Sequence, residues 1–296
     1  MHLNLDNAKI LHLTNGEKSD IDYDIIHFPD GEVQLDIKDN LVNFKKRVVV
    51  VTKICNANDL FVLLQAQDIL ERLCIDFDVV ITYLMTQRSD RLFSIGRPFS
   101  LNIVAKLLKG TSVYILEPHN FDAILRLMTC TDVDSLDYDS RVIKYEREAE
   151  ERTTMILYPD AGAKDRYEPV FPNPSMYLVG EKVRDVSTGQ ITDYNIKMID
   201  GSEITIPDSV KKIVIVDDLC DGGRTFIGAW QKLIEYTKPD VKICLDVVHA
   251  VQETGIRKVC EAFDEVIVTN SYADWSKLNI PNLTVNDVQD IKQFAW

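Results

Sequence analysis

The sequence lacks the paired cysteines of a zinc ribbon or a disulfide framework. Its six cysteines, Cys55, Cys74, Cys130, Cys220, Cys244 and Cys260, are scattered, with no CxxC pair and no histidine at metal-ligand spacing, so free thiols in a reducing compartment are the expectation. Positive charge is also short. Lys and Arg number 33 against 47 Asp and Glu, a formal net charge of -14, and repulsion excludes a broad nucleic-acid or anionic-membrane surface. No run approaches the ~18 apolar residues that span a bilayer, and the opening MHLNLDNAKILHL has no basic stretch followed by a long apolar one. A cytoplasmic protein with small partners, and neither nucleic acid nor membrane among them, is the expectation. Phosphates remain open to it, provided that Mg ions, a few placed Arg and Lys and backbone amides reverse the field locally.

What is present is enough chain for two domains: 296 residues, 46% hydrophobic and 27% charged. Short apolar runs alternate with amphipathic stretches from end to end, the pattern of parallel strands covered by crossover helices, so the class is α/β. Strands are predicted at Lys9 to Leu13, Arg47 to Thr52, Val79 to Leu84, Ser112 to Leu116, Thr154 to Tyr158, Ile213 to Val216, Lys242 to Val248 and Glu265 to Val268. Helical spacing marks Asp59 to Leu73 and the stripe Phe226, Ile227, Trp230, Leu233 and Ile234. The acidic, unpatterned stretch Thr131 to Ser140 suggests a boundary, giving domains 1–141 and 142–296, with the last ~16 residues a candidate to pack back on the first domain. Gln190 to Ser209 reads as a loop or small hairpin. No internal repeat is obvious.

The most informative segment is KKIVIVDDLCDGGRTFIGAW, Lys211 to Trp230. An apolar strand runs into two carboxylates, a turn with two glycines, and an amphipathic helix. In a parallel sheet this is the carboxyl end of a strand, where ligands bind. Gly222 and Gly223 let the backbone approach an anion, and the helix start supplies amides and partial positive charge, so a phosphate is the natural occupant. Asp217 and Asp218 are too close to sit on that phosphate, and are left to accept hydrogen bonds from vicinal ribose hydroxyls or to hold a Mg ion.

DDLCDGGRT, Asp217 to Thr225, resembles the phosphoribosyl-binding loop of type I phosphoribosyltransferases and of ribose-phosphate pyrophosphokinases (PRPP synthetases). Other segments favour the second. FPDGE, Phe28 to Glu32, is similar to the family's FSDGE, which reaches the adenine of ATP on a neighbouring subunit. RSDR, Arg88 to Arg91, is similar to its RQDR, and EPHN places His119 where the family has DLHA. YPDAGA, Tyr158 to Ala163, is close to SPDAGG, with Asp160 at the position that approaches Mg and ribose. Lys182 and Arg184, in EKVRD, fit the KxR of the catalytic loop, while DVVHA and VIVTNSY, around His249 and Asn270, resemble the strands closing the second domain. A plain phosphoribosyltransferase would lack the first half of this pattern.

The resemblance implies two domains of the type I phosphoribosyltransferase kind, each a mainly parallel sheet flanked by helices. It implies a Mg-dependent transfer of the β,γ-pyrophosphate of ATP to the 1-hydroxyl of ribose 5-phosphate. Phe28, Asp30, Glu32, Arg88, Ser89, Asp90, Arg91 and His119 would bind ATP, and His119 and Asp160 would approach Mg2+. Lys182, Arg184 and His119 would act in catalysis, and Asp217, Asp218, Asp221, Gly222, Gly223, Arg224 and Thr225 would hold the ribose phosphate. A homo-oligomer, dimer or hexamer, is implied because FPDGE acts across subunits. The remaining histidines, His2, His12, His27 and His249, read as surface or satisfied core residues.

Three departures stand out. Arg224 replaces a glycine of the family loop, and its guanidinium either tightens the grip on one phosphate or reaches a second. The latter points to ADP-ribose as acceptor, as in phage-type relatives thought to serve NAD rebuilding. Ser89 stands where the family has Gln, and DVSTGQI replaces the basic stretch after KxR, which leaves nucleotide preference and allosteric control open. A non-catalytic regulatory homologue is the alternative of another class, against which the retained His119, Asp160, Lys182 and Arg184 argue.

Overall fold

In a computed structural model, the structure describes residues 3–42, 44–128, 132–136, 145, 147–167, 174–184 and 191–294. The chain divides into two compact units, Met1–Asp137 with Asp287–Trp296, and Tyr138–Asn286. Each is an α/β unit.

In the first unit, strands β1 (Lys9–His12), β4 (Val48–Ile54), β5 (Phe77–Leu84), β6 (Ser112–Leu116) and β7 (Asp132–Leu136) form a five-stranded parallel sheet in the order β1-β4-β5-β6-β7. Val48 to Val51 are wholly buried, each stabilising the unit by roughly 1.5–3 kcal/mol over an exposed valine. Helix α1 (Ala57–Arg72) begins at a capping box: the Asn56 side chain accepts from the Asn58 and Asp59 amides, and Asp59 returns to the Asn56 N–H, an arrangement worth ~1 kcal/mol. It buries Val62, Leu63, Ala66 and Leu70 against the sheet. Helices α2 (Ser100–Ala105) and α3 (Phe121–Leu127) complete the unit.

A separate antiparallel hairpin, β2 (Tyr23–His27) and β3 (Val33–Ile37), is clamped to α1 by Gln65, whose side chain accepts from Leu35 N and donates to Val33 O. The carboxyl-terminal segment belongs to this unit. His12 Nε2 lies 3.2 Å from Gln289 O, and the Thr14 amide donates to Nδ1, which selects a neutral ring; burial lowers its pKa accordingly. His12 and the wholly buried His249, which bonds Ser271 Oγ, are satisfied core residues, and His27 is exposed. His2 lies outside the described residues.

The second unit is a seven-stranded sheet in the order β10-β9-β8-β11-β12-β13-β14, parallel except for the β9–β10 pair. Its strands are β8 (Thr154–Tyr158), β9 (Tyr177–Arg184), β10 (Ile191–Met198), β11 (Lys212–Cys220), β12 (Lys242–Ala250), β13 (Glu265–Thr269) and β14 (Leu283–Asn286). Its helices include α4 (Ala161–Tyr167), α5 (Arg224–Leu233) and α6 (Glu253–Ala262). Among the described residues no helix is long and apolar enough to cross a membrane.

Several boundaries differ from those read off the sequence. Strand β11 does not stop at Val216 but continues through both aspartates to Cys220, because β12 pairs with it as far as Ala250. The acidic stretch after Thr131 contains β7, an edge strand whose ladder to β6 needs no alternation of apolar residues. Ile234 lies just past α5 and is exposed. Lys182 and Arg184 end β9, opposite Tyr194 and Ile191 of β10.

Gly180 of β9 is there for space. A Cβ at that position would come within 1.9 Å of Tyr194 Oη, which donates to Pro159 O at 2.7 Å. Gly180→Ala is expected to destabilise the second unit by roughly 1–3 kcal/mol through overpacking, measured as a lowered urea midpoint; an unchanged midpoint would contradict this packing.

Candidate functional site

Strand β11 carries the acidic pair. The two carboxyls share one cationic neighbour but differ in burial. Asp218 is buried, with Oδ1 2.6 Å from Arg166 Nη1 of α4, while Asp217 Oδ1 lies 3.6 Å from the same nitrogen and accepts the Asp218 amide at 2.9 Å. Burial, and next the neighbouring Asp218, push the Asp217 carboxyl well above the usual range. Burial alone would lower the Arg166 guanidinium, but Asp218, with smaller help from Tyr167 and Asp217, reverses this and raises it.

Past Cys220 the chain bends over residues 221–223, and Gly223, at φ 74°, is the residue from which α5 starts. This left-handed position suits glycine, and α6 presses on it: a Cβ there would lie 3.0 Å from Val259 Cγ1 and 3.2 Å from Gly255 O. Gly255 is more tightly held, since its Cβ would stand 1.8 Å from Asp221 O. Helix α6 thus backs the turn on one side, whereas nothing lies within 4 Å of a Cβ built on Gly222. A glycine cap brings no side chain to the first-turn amides of α5, so their donors and the helix dipole face the open side of the turn, as an anion requires. Arg224 is the first helical residue and is exposed; Asp221 and Thr225 are partly so. Cys220 is buried and its thiol is pushed up to about 12, chiefly by burial.

Asp160 immediately precedes α4, its Oδ1 accepting the Ala163 amide at 3.0 Å. It stands near the acidic pair, for its charge raises both Asp217 and, after burial, Tyr194. Among the described residues no group of three or more His, Cys, Asp or Glu side chains has the arrangement of a formed metal site. Lys182 and Arg184 are placed by their backbone at the end of β9.

In the first unit the ends of β5 and β6 are tied together. Gln87 Oε1 accepts the His119 amide at 3.0 Å, and Asp90 accepts from the Asn120 side chain at 2.6 Å, while Asn120 caps α3 through the Ala123 amide. Ser89 donates its amide to Thr86 O and accepts from Leu101 N. Thr86 (φ 66°) and Glu117 (φ 38°), at the ends of these strands, have left-handed backbones, strain of a kind that collects at ligand sites. Ser89, Asp90 and His119 are therefore brought together; Arg88 and Arg91 are exposed, the latter 5.3 Å over the Phe93 ring. Phe28, Asp30 and Glu32 form the exposed tip of the β2–β3 hairpin, closed by Phe28 N to Glu32 O and by Glu32 N to the Asp30 side chain.

Arg166, Tyr194, Gln87 and Gly255 were not found from the sequence. Arg166 pairs with a residue 52 positions away in the chain, and no local spacing carries that.

No family model matches this chain. It is 23% identical over 269 residues to ribose-phosphate pyrophosphokinase 2 of Archaeoglobus fulgidus, covering 88% of this chain and 89% of that protein. It is 27% identical over 229 residues to a ribose-phosphate pyrophosphokinase of Methanobrevibacter smithii, covering 72% and 73%. A Methanosarcina acetivorans ribose-phosphate pyrophosphokinase is 30% identical over 137 residues, 46% of this chain and 47% of that one. Among solved structures, a phosphoribosylpyrophosphate synthetase from Mycobacterium smegmatis superposes with a TM-score of 0.72 at 18% identity, covering 92% of this chain and 88% of that one.

Because Gly255 leaves no room for a side chain against Asp221, Gly255→Ala is expected to displace the turn. Titration calorimetry with inorganic phosphate should show affinity falling on the order of tenfold, while Lys258→Ala, on the exposed face of α6, should bind as the wild type does. Equal phosphate affinity for Gly255→Ala would contradict the role given to this contact.

Proposed function

We propose that this chain, a divergent member of the ribose-phosphate pyrophosphokinase family, transfers the β,γ-pyrophosphate of ATP to the 1-hydroxyl of ribose 5-phosphate, giving PRPP and AMP. The observation that carries the reading is the acidic pair of β11 followed, five residues after Asp218, by a glycine cap at Gly223 that leaves the helix start without a side-chain cap. Carboxylates suited to a sugar diol stand beside amides suited to its phosphate. A bare strand-to-helix turn needs neither.

The 1-hydroxyl oxygen forms a bond to the β-phosphorus, the bond from that phosphorus to the oxygen bridging the α-phosphorus breaks, and AMP leaves as the hydroxyl proton passes to solvent. Positioning two anions and neutralising charge on the transferring oxygens is most of the task. Gly222, Gly223, Arg224 and Thr225, with Asp221 beside them, hold the 5-phosphate, and the acidic pair takes the ribose hydroxyls. Lys182 and Arg184 stabilise the charge that builds in the transition state. Arg88, Ser89, Asp90, Arg91 and His119 hold ATP, with Phe28, Asp30 and Glu32 of a second copy closing over its adenine, which makes a homo-oligomer part of the proposal.

Mg2+ prefers oxygen ligands, and the carboxylate of Asp160, close enough to Asp217 for the two charges to interact, fits it. His119 is proposed to approach the same Mg2+ as it holds the ATP phosphates. When bound, Mg2+ supplies charge neutralisation on phosphate oxygens.

One observation favours a second acceptor. Arg224 is exposed at the first position of α5, and a guanidinium beside a phosphate-binding turn is suited to grip a second phosphate in bidentate fashion. ADP-ribose, with a diphosphate at the 5-position, is the acceptor that uses it, with the same chemistry at carbon 1.

Pure protein incubated with Mg2+, ATP and either ribose 5-phosphate or ADP-ribose is expected to release AMP and a pyrophosphorylated sugar. No AMP with either acceptor would overturn the proposal. Lys182→Ala is expected to lower kcat by about 10²–10³-fold, with sugar affinity little changed; an unaltered kcat would remove Lys182 from the mechanism.

A further inference from the structure

The two adjacent carboxylates of β11 are not equivalent, and Arg166 makes the difference. Asp218 is 2% exposed and meets Arg166 Nη1 at 2.6 Å; the Asp217 side chain is 15% exposed and lies 3.6 Å from that nitrogen. The guanidinium is itself confined. Its carbon stands 5.8 Å from the centroid of the Tyr167 ring, Tyr167 stacks on Tyr158 at 6.4 Å, and Tyr158 stacks on Tyr177 at 6.1 Å. An aromatic wall on one side and two carboxylates on the other leave Arg166 little freedom.

Both carboxylates approach the same guanidinium nitrogen, but Asp218 is the closer and the more deeply buried, so the two are not equally open to a ligand. Resting on the sugar-phosphate reading above, we propose that Arg166 is a positioning residue: it draws Asp218 inward as its counter-ion and thereby leaves Asp217 as the carboxylate that accepts the vicinal ribose hydroxyls. Asp218 then serves as the anchor and Asp217 as the contact. Arginine suits this position because one planar fork can address both carboxylates, whereas an ammonium is a single point charge. The bond from the Asp218 amide to Asp217 Oδ1 at 2.9 Å folds the Asp217 side chain along the strand and fixes it further.

The hydroxyls and the phosphate are thus recognised by different groups, and binding can separate them. Kd is measured, with Mg2+ present, for ribose 5-phosphate and for inorganic phosphate on the wild type, Arg166→Met, Arg166→Lys and Asp217→Asn. The wild type is expected to prefer ribose 5-phosphate. Arg166→Met should weaken ribose 5-phosphate on the order of tenfold or more with phosphate unchanged, Arg166→Lys should recover part of the loss, and Asp217→Asn should reproduce it.

A merely structural role would lower both affinities together, and that result overturns the proposal, as does ribose 5-phosphate binding by Asp217→Asn at wild-type strength. Should Arg166→Met fail to fold, Asp217→Asn and Arg166→Lys decide the matter by the same comparison. A wild type that binds ribose 5-phosphate without producing AMP would overturn the pyrophosphate-transfer reading and leave the assignment of Arg166 standing.

Discussion

Two adjacent carboxylates at the end of a buried strand are the constraint around which the second unit is arranged. An ionised carboxylate taken out of water is costly unless a counter-charge meets it, and Arg166 supplies that charge to Asp218 from α4. Removing one partner of such a pair costs about 3–5 kcal/mol. The pair therefore fixes where α4 lies against β11, and with it the position of Asp160, immediately before the same helix. A stability requirement and a binding geometry are met by one contact.

Close backbone approach does the rest. Gly180 admits Tyr194, whose hydroxyl holds Pro159 O, and Gly255 admits the carbonyl of Asp221. Both contacts lock the chain immediately next to an aspartate of the site. The first unit uses polar side chains for the same purpose: Gln87 and Asn120 link the loops that follow β5 and β6, and the two left-handed residues Thr86 and Glu117 are held in place at those strand ends.

Much of this was legible in the sequence, for identifiable reasons. Strands buried on both faces announce themselves as apolar runs, and Ser112–Leu116 and Thr154–Tyr158 fall where those runs do. The turn was legible because glycine and paired aspartates have few other uses at a strand end. Apart from β1, the edge strands were not: β7, β10 and β14 pair on one side only and carry polar residues such as Asp132, Asp193 and Asn286, so no apolar run marks them. The end of β11 was misjudged because charge normally signals a loop, and here Arg166 makes charge tolerable inside a strand. Pairs such as Arg166 with Asp218, or Gly180 with Tyr194, exist only once the sheet is assembled.

The central claim is that the turn between β11 and α5 holds a sugar phosphate through its backbone amides. Amide resonances of Gly222, Gly223, Arg224 and Thr225, followed by NMR during titration with ribose 5-phosphate in the presence of Mg2+, test it most directly. The account predicts that these four amides shift together and saturate with the ligand. If they stay unmoved while resonances elsewhere respond, the turn is not the phosphate site and the account fails.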